Sequence, residues 1–183
     1  ALPISNGTVT AKAITVTGIA ANDKVYDATR TATMNVSNAV FNGMVAGDLL
    51  TVAATGTYGV ADVVRNASNA VIAQTVTFSN SYGGADACNY TYAGSPTTTS
   101  AKITPKALTL TGAAANDKTY NGNVVASINS FGTLTGVLNS DDVSLVTSGY
   151  SASFADKNVS YDLSNAVTTK TVTLLASSLG LSG

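Results

Sequence analysis

Ten acidic side chains, every one an Asp, and nine basic ones carry the ionic chemistry available to this 183-residue chain, which has no Glu and no His. Carboxylates borne on turns are hard oxygen ligands and can hold calcium in extracellular arrays. Asp23, Asp27 and Asp48, with Asp117, Asp141 and Asp142, are the candidates. They form no Asp-x-Asp-x-Asp-Gly run, and an isolated Asp in a turn ordinarily bonds its own backbone. The expected cofactor set is therefore none, metal site included, with calcium as the alternative. Lys24 and Lys118, beside Asn22 and Asn116, supply the residue types for a Lys–Asn isopeptide cross-link, with only Asp to assist it. Tyr26, Tyr58, Tyr90, Tyr92, Tyr120 and Tyr150 could stack on sugar rings, although Tyr in a strand more often packs a core or sheet edge with its hydroxyl wet. Cys88 is the sole cysteine, so no intrachain disulfide forms. A small buried hydrophobe is its expected role, with an intermolecular thiol as the alternative. No nucleophile has a His partner, so no catalytic residue is assigned and no enzyme is expected.

Those side chains must be positioned by strands. Two-residue alternation marks 13–17, 50–52, 75–78, 89–92, 108–110 and 171–174. Alternate side chains of a strand face opposite sides, so Ile14 and Val16 should enter a core while Thr15 and Thr17 meet water. Asn6-Gly7, Asn22-Asp23, Asn42-Gly43, Gly83-Gly84, Asn116-Asp117 and Asn121-Gly122 punctuate the strands with residues suited to tight turns. The segments 35–45 and 129–138 could hold a short helix or turn, but their Asn and Gly density argues against a long one.

One module occurs twice. Lys12 to Asp27 recurs ninety-four positions later as Lys106 to Asn121, and Ser68-Asn69-Ala70-Val71 recurs as Ser164-Asn165-Ala166-Val167 at an offset of ninety-six. Asn22, Asp23, Lys24, Tyr26 and Asp27, with Asn116, Asp117, Lys118, Tyr120 and Asn121, thus read as a repeated structural turn. The expected fold is all-β, as two tandem antiparallel β-sandwich (Ig-like) modules in an elongated arrangement, residues 1–94 and 95–183. The first copy runs on through 84–92 and 99–103, whereas the second ends without that last strand. Leu2-Pro3-Ile4 and Thr8 to Lys12 are similar to Ser95-Pro96-Thr97 and Thr98 to Lys102, which makes Leu2, Ile4 and Val9 a candidate strand-donor segment.

Charged residues make up 10% of the chain against roughly 25% in an average soluble one. Thr, Ala, Ser, Asn, Gly and Val replace them, a mixture common in secreted bacterial fibres. A net charge of −1 gives no field to steer nucleic acid. No apolar run approaches the roughly 20 residues of a spanning helix, so no membrane insertion is expected.

Asn22-Asp23-Lys24-Val25-Tyr26-Asp27, Phe154 to Val159, Gly84 to Thr91 and Ala101-Lys102-Ile103-Thr104-Pro105-Lys106 together resemble the YDG and MBG repeats of large bacterial surface proteins. The eponymous Tyr-Asp-Gly stands as Tyr26-Asp27-Ala28 in one copy and Tyr120-Asn121-Gly122 in the other, which favours a turn over a reactive site. The resemblance implies an extracellular, adhesin-like stalk on the bacterial cell surface or secreted from it, without enzyme activity. Its expected partners are neighbouring identical modules or subunits, together with host or matrix glycans or proteins. The alternatives are a fibre or pilus-like subunit that polymerises by donor-strand complementation, and a carbohydrate-binding module.

Overall fold

The computed structural model describes residues 6–138 and 141–183. Leu2 and Ile4 lie outside them. The chain divides into two compact units, residues 1–106 and 107–183.

Unit 1 contains β1 (Lys12–Thr17), β2 (Ala20–Ala21), β3 (Lys24–Val25), β4 (Thr31–Ala32), β5 (Met34–Asn35), β6 (Val40–Asn42), β7 (Thr51–Tyr58), β8 (Gln74–Gly83), β9 (Tyr90–Tyr92), β10 (Thr98–Ala101) and β11 (Ile103–Thr104). Its sheets are β6-β1-β9 and β10-β8-β7-β4, with the short pairs β3-β11 and β2-β5. Strand β1 alternates as read, with Ile14 and Val16 buried. Unit 2 contains β12 (Thr109–Thr111), β13 (Ala114–Ala115), β14 (Ile128–Ser130), β15 (Thr133–Thr135), β16 (Ser144–Val146), β17 (Ala152–Phe154), β18 (Val172–Leu174) and β19 (Gly180–Ser182). They pair as β12-β15, β13-β14, β16-β19 and β17-β18. The long β7-β8 hairpin of unit 1 corresponds to two shorter pairs in unit 2.

The fold is all-β, with two single-turn 3₁₀ segments among the described residues, Ala87–Asn89 and Ala176–Ser178. No described helix is long and apolar enough to cross a membrane. The segments 35–45 and 129–138 contain strand and turn instead of helix, with Gly43 and Gly132 at positive φ.

Three expectations need correction. The pairing is not wholly antiparallel, because β1 runs parallel to β9 and β3 parallel to β11. Both pairs join segments far apart in sequence, where no hairpin imposes the antiparallel sense. The module boundary at 94 is displaced as well: residues 95–106 belong to unit 1, since β10 pairs with β8 and Ala101 and Ile103 enter its core. Finally, Cys88 is exposed. Its three-residue 3₁₀ turn buries none of its side chains.

The core of unit 1 gathers Ala32, Tyr58, Val76, Ala101 and Ile103, with Ala21, Tyr26, Met34 and Val63 packed against them. Among the described residues of unit 2, only Ala126 and Ala152 are buried hydrophobics.

Candidate functional site

Both copies of the Asn-Asp-Lys turn build the same cradle around a lysine. The Lys24 ammonium lies 2.7 Å from Asp27 Oδ1, 2.7 Å from the Thr29 carbonyl, 3.0 Å from the Thr29 hydroxyl and 3.1 Å from the Thr31 carbonyl. It also sits 5.4 Å from the centroid of the Tyr58 ring, whose negative face attracts a cation. Ninety-four residues on, Lys118 donates to the Asn123 carbonyl (2.8 Å), to Asn123 Oδ1 (2.9 Å) and to the Val125 carbonyl (3.1 Å). Its ammonium lies 5.5 Å from the centroid of the Phe154 ring. In each copy the carbonyls five and seven residues downstream receive the ammonium, which has three donors to satisfy. The lysine therefore ties the turn to the next strand position.

The residue after the motif's second position takes a left-handed backbone in both copies, Ala28 at φ 61° and Gly122 at φ 81°. A Cβ makes that region costly, by about 1–2 kcal/mol, and glycine avoids the cost. Ala28→Gly should therefore stabilise unit 1 by about 0.5–1 kcal/mol after the extra chain entropy of glycine is deducted. Gly122→Ala, with no atom within 4 Å of the added Cβ, should cost about 1 kcal/mol through strain alone. Denaturant melts of both variants test the pair, and a destabilising Ala28→Gly would refute the assignment.

The second motif position caps the turn. Asp27 Oδ1 accepts the Thr29 amide at 2.9 Å, and Asn121 Oδ1 accepts the Asn123 amide at 3.3 Å. The Lys24 hydrogen bond, followed by the Thr29 amide, lowers the Asp27 pKa to about 2. A carboxylate with a depressed folded pKa adds stability above its unfolded pKa, and that stability is lost as pH falls through the folded one. Unit 1 should accordingly lose stability between about pH 4 and pH 2. Asp27→Asn, which installs the residue of the second copy, should flatten that slope. Half the Asp27 side chain is exposed, so the slope should also shrink in about 1 M salt. An unchanged slope in the variant would contradict the role given to Lys24. In unit 2, Lys170 at 2.5 Å from Asp156 Oδ1 likewise lowers the Asp156 pKa, aided by the Asn158 amide.

A third turn is shared by the two copies. Asn66 Oδ1 accepts the Ser68 and Ala70 amides at 3.0 and 2.9 Å, and Asp162 Oδ1 accepts the Ser164 and Ala166 amides at 2.8 and 2.9 Å. Asn69 and Asn165 are both left-handed, at φ 60° and 61°.

Beside the cradle of unit 1 runs the strap formed by β10 and β11. Asp23 Oδ1 accepts the Lys102 amide at 2.6 Å, Lys24 N–H donates to the Lys102 carbonyl at 3.0 Å, and Tyr26 N–H donates to the Thr104 carbonyl at 2.8 Å. The Tyr58 hydroxyl lies 2.6 Å from the Asn22 carbonyl and 3.3 Å from that of Lys102, and burial pushes its pKa up. At the matching place in unit 2 lies an open groove of about 700 Å³, lined among others by Asp117, Lys118, Tyr120, Phe154, Val159 and Val172.

A protein-family model described as the YDG domain matches residues 10–100 and again residues 104–180. The chain belongs to the YDG domain family. No curated protein and no solved structure matches it. In these two YDG domains the eponymous triplet is thus the turn just described: its Tyr flanks the strap or groove, its second residue caps the turn, and its third supplies the left-handed bend.

The other sequence candidates separate. Asp48 accepts a hydrogen bond from the Tyr90 hydroxyl, which raises the Tyr90 pKa, and Tyr90 in turn accepts the Val45 amide at 2.9 Å. Asp23 and Asp27 serve different partners, and no group of three or more His, Cys, Asp or Glu among the described residues could hold a metal. Of the tyrosines, Tyr58 and Tyr90 are buried, Tyr92 stacks on Tyr82 with centroids 3.7 Å apart, and Tyr120 is exposed along the groove. Val9 is fully exposed and belongs to no strand. The sequence reading missed the part played by Tyr58 and Phe154 under the lysines. Their signal was present, since both are aromatic at the offset of ninety-six.

Proposed function

We propose that the chain is a non-catalytic structural segment of a bacterial extracellular surface protein, in which two small β-sandwich modules act as stalk or scaffold. The observation that carries this reading is the duplicated lysine cradle. The lysine of the motif holds the backbone carbonyls five and seven residues downstream in place, in the same way twice, which serves a module that must be rebuilt along an array. In unit 1 the β6-β1-β9 and β10-β8-β7-β4 sheets would supply the two faces of such a sandwich. Sparse charge and abundant Thr, Ser and Asn suit a surface exposed to solvent along its length. The test is an antibody raised against this chain: it should label intact cells of the source bacterium. Labelling that requires permeabilised cells would sink the proposal.

A further inference from the structure

The two copies of the motif turn differ in one group of consequence. In unit 1 the second position is Asp27, whose Oδ1 lies 2.7 Å from the Lys24 ammonium. In unit 2 that position is Asn121, and Lys118 reaches Asn123 and Val125 without it. The rest of the turn is shared. Each Oδ1 accepts the amide two residues on, the third residue is left-handed, and the lysine holds the carbonyls five and seven residues downstream. Where the lysine of the first copy has a counter-ion, that of the second has a neutral carboxamide.

Glycine follows Asn121, and that pair carries a reaction. The backbone nitrogen after an asparagine can attack the side-chain Cγ to close a five-membered succinimide, and a side chain beside that nitrogen obstructs the approach. Gly122 offers no obstruction, and even an added Cβ there would meet nothing within 4 Å. Among the described residues neither the Gly122 amide nor the Asn121 carboxamide nitrogen donates a hydrogen bond, so the attacking and leaving nitrogens are both unencumbered. The Asn123 amide, 3.3 Å from Asn121 Oδ1, is aimed at the oxygen on which negative charge gathers in the tetrahedral intermediate. Asn121 and Gly122 are both exposed, which admits water. The Asn42-Gly43 pair is held differently. Asn42 pairs with Thr15 in the ladder of β1 and β6, and its carboxamide nitrogen donates to the Thr17 hydroxyl at 3.0 Å and the Val40 carbonyl at 3.5 Å.

We propose that Asn121 is a self-modification site that converts to aspartate in the folded chain and so gives unit 2 the lysine–carboxylate pair that unit 1 has by sequence. The Gly122 nitrogen loses its proton to solvent base and bonds to Cγ. The Cγ–Nδ2 bond then breaks, and that nitrogen takes a proton and leaves as ammonia. Water adds to Cγ of the succinimide, the bond from Cγ to the Gly122 nitrogen breaks, and the nitrogen recovers its proton. One water is consumed and one ammonia released, with no oxidant or reductant. The net charge, formally −1, becomes more negative by one unit. Opening at the main-chain carbonyl would instead route the backbone through the side chain as isoaspartate. The turn selects against that product, because unit 1 builds the same cap and left-handed bend on an aspartate with an ordinary main chain. The Lys118 ammonium also favours a charged group at the side-chain position.

The test is peptide mapping of the full chain after incubation in mildly alkaline water enriched in heavy oxygen, with electron-transfer fragmentation to tell aspartate from isoaspartate. The peptide containing Asn121 should lose ammonia and take up one heavy oxygen, while Asn42 stays intact. Its aspartate fraction should exceed that at Asn6, an exposed asparagine that also precedes glycine but lies in no strand. Gly122→Ala should slow the conversion about tenfold, the change that a barrier raised by about 1.4 kcal/mol gives. Asn121→Asp, made directly, should show by NMR a carboxyl at position 121 that titrates below the ordinary aspartate range, as Asp27 does, and Lys118→Met in that background should restore the ordinary value. An Asn121 that persists in the folded chain overturns the proposal, as does conversion undiminished in Gly122→Ala. Equal aspartate fractions at Asn121 and Asn6, or a carboxyl in Asn121→Asp that ignores Lys118, would overturn the pairing on which it rests.

Discussion

Ile103→Ala should destabilise unit 1 by about 2–5 kcal/mol and leave unit 2 untouched. Ile103 is fully buried, and it belongs to a strap that reaches the core from the far end of the unit's sequence. Its truncation removes the transfer energy of three carbons and leaves a cavity against Tyr58 and Val76, which are themselves fully buried and held by sheet bonds. Collapse into that cavity is hindered because β10 and β11 are fastened on both sides, to β8 and to β3. Native-state hydrogen exchange reads each unit separately. Amides of β3, β8 and β10 should lose protection, while those of β17 and β18 should keep theirs. A loss below about 1 kcal/mol would mean that the strap is not integral to the core.

Tyr58→Ala should be comparably severe, at about 3–5 kcal/mol by analogy with other buried aromatics, whereas Tyr58→Phe should cost only about 1 kcal/mol. The phenol does two separable things. Its ring fills the centre of the core and lies beneath Lys24, and its hydroxyl satisfies the Asn22 carbonyl. Phe keeps the first role, and unit 2 uses Phe154 in it already. Urea denaturation of both variants separates the two roles. A double-mutant cycle with Lys24→Met then isolates the ring–ammonium coupling, expected at about 0.5–2 kcal/mol. Equal losses in Tyr58→Phe and Tyr58→Ala would shift the whole effect to the hydroxyl.

Much of the local structure was legible in the sequence because it depends on short-range rules. Strand β1 with Ile14 and Val16 inward, the Asn-Asp turns and the duplicated module all follow from residue period and residue type. Pairing did not follow. The parallel partners of β1 and β3 lie 78 and 79 residues away in register, Lys12 with Tyr90 and Lys24 with Ile103, and alternation carries no information about which distant edge a strand will choose. The module boundary failed for the same reason: 98–104 reads like an opening strand, and only its place between β8 and β3 assigns it to the preceding unit. The cradle was half legible. Lys24 and Lys118 stood out through repetition, but their acceptors are mostly backbone carbonyls, which have no residue-type signature. Cys88 was misplaced because composition gives the habit of a residue and not the three-residue turn in which it sits.

The strap also decides how unit 1 responds to being pulled by its ends. Tension enters at β1 and leaves through β11, and each of these strands lies parallel to its neighbour, β9 or β3. A strand drawn along its own axis past a laterally bonded neighbour loads every bond of the ladder at once, whereas a hairpin pulled open at its end breaks them one by one. For β11 those bonds are the Lys24 and Tyr26 amides to the Lys102 and Thr104 carbonyls, with the Lys102 amide on Asp23. Unit 1 is therefore fastened in shear at both ends, and its lifetime under load is set by the rate at which those bonds fail together.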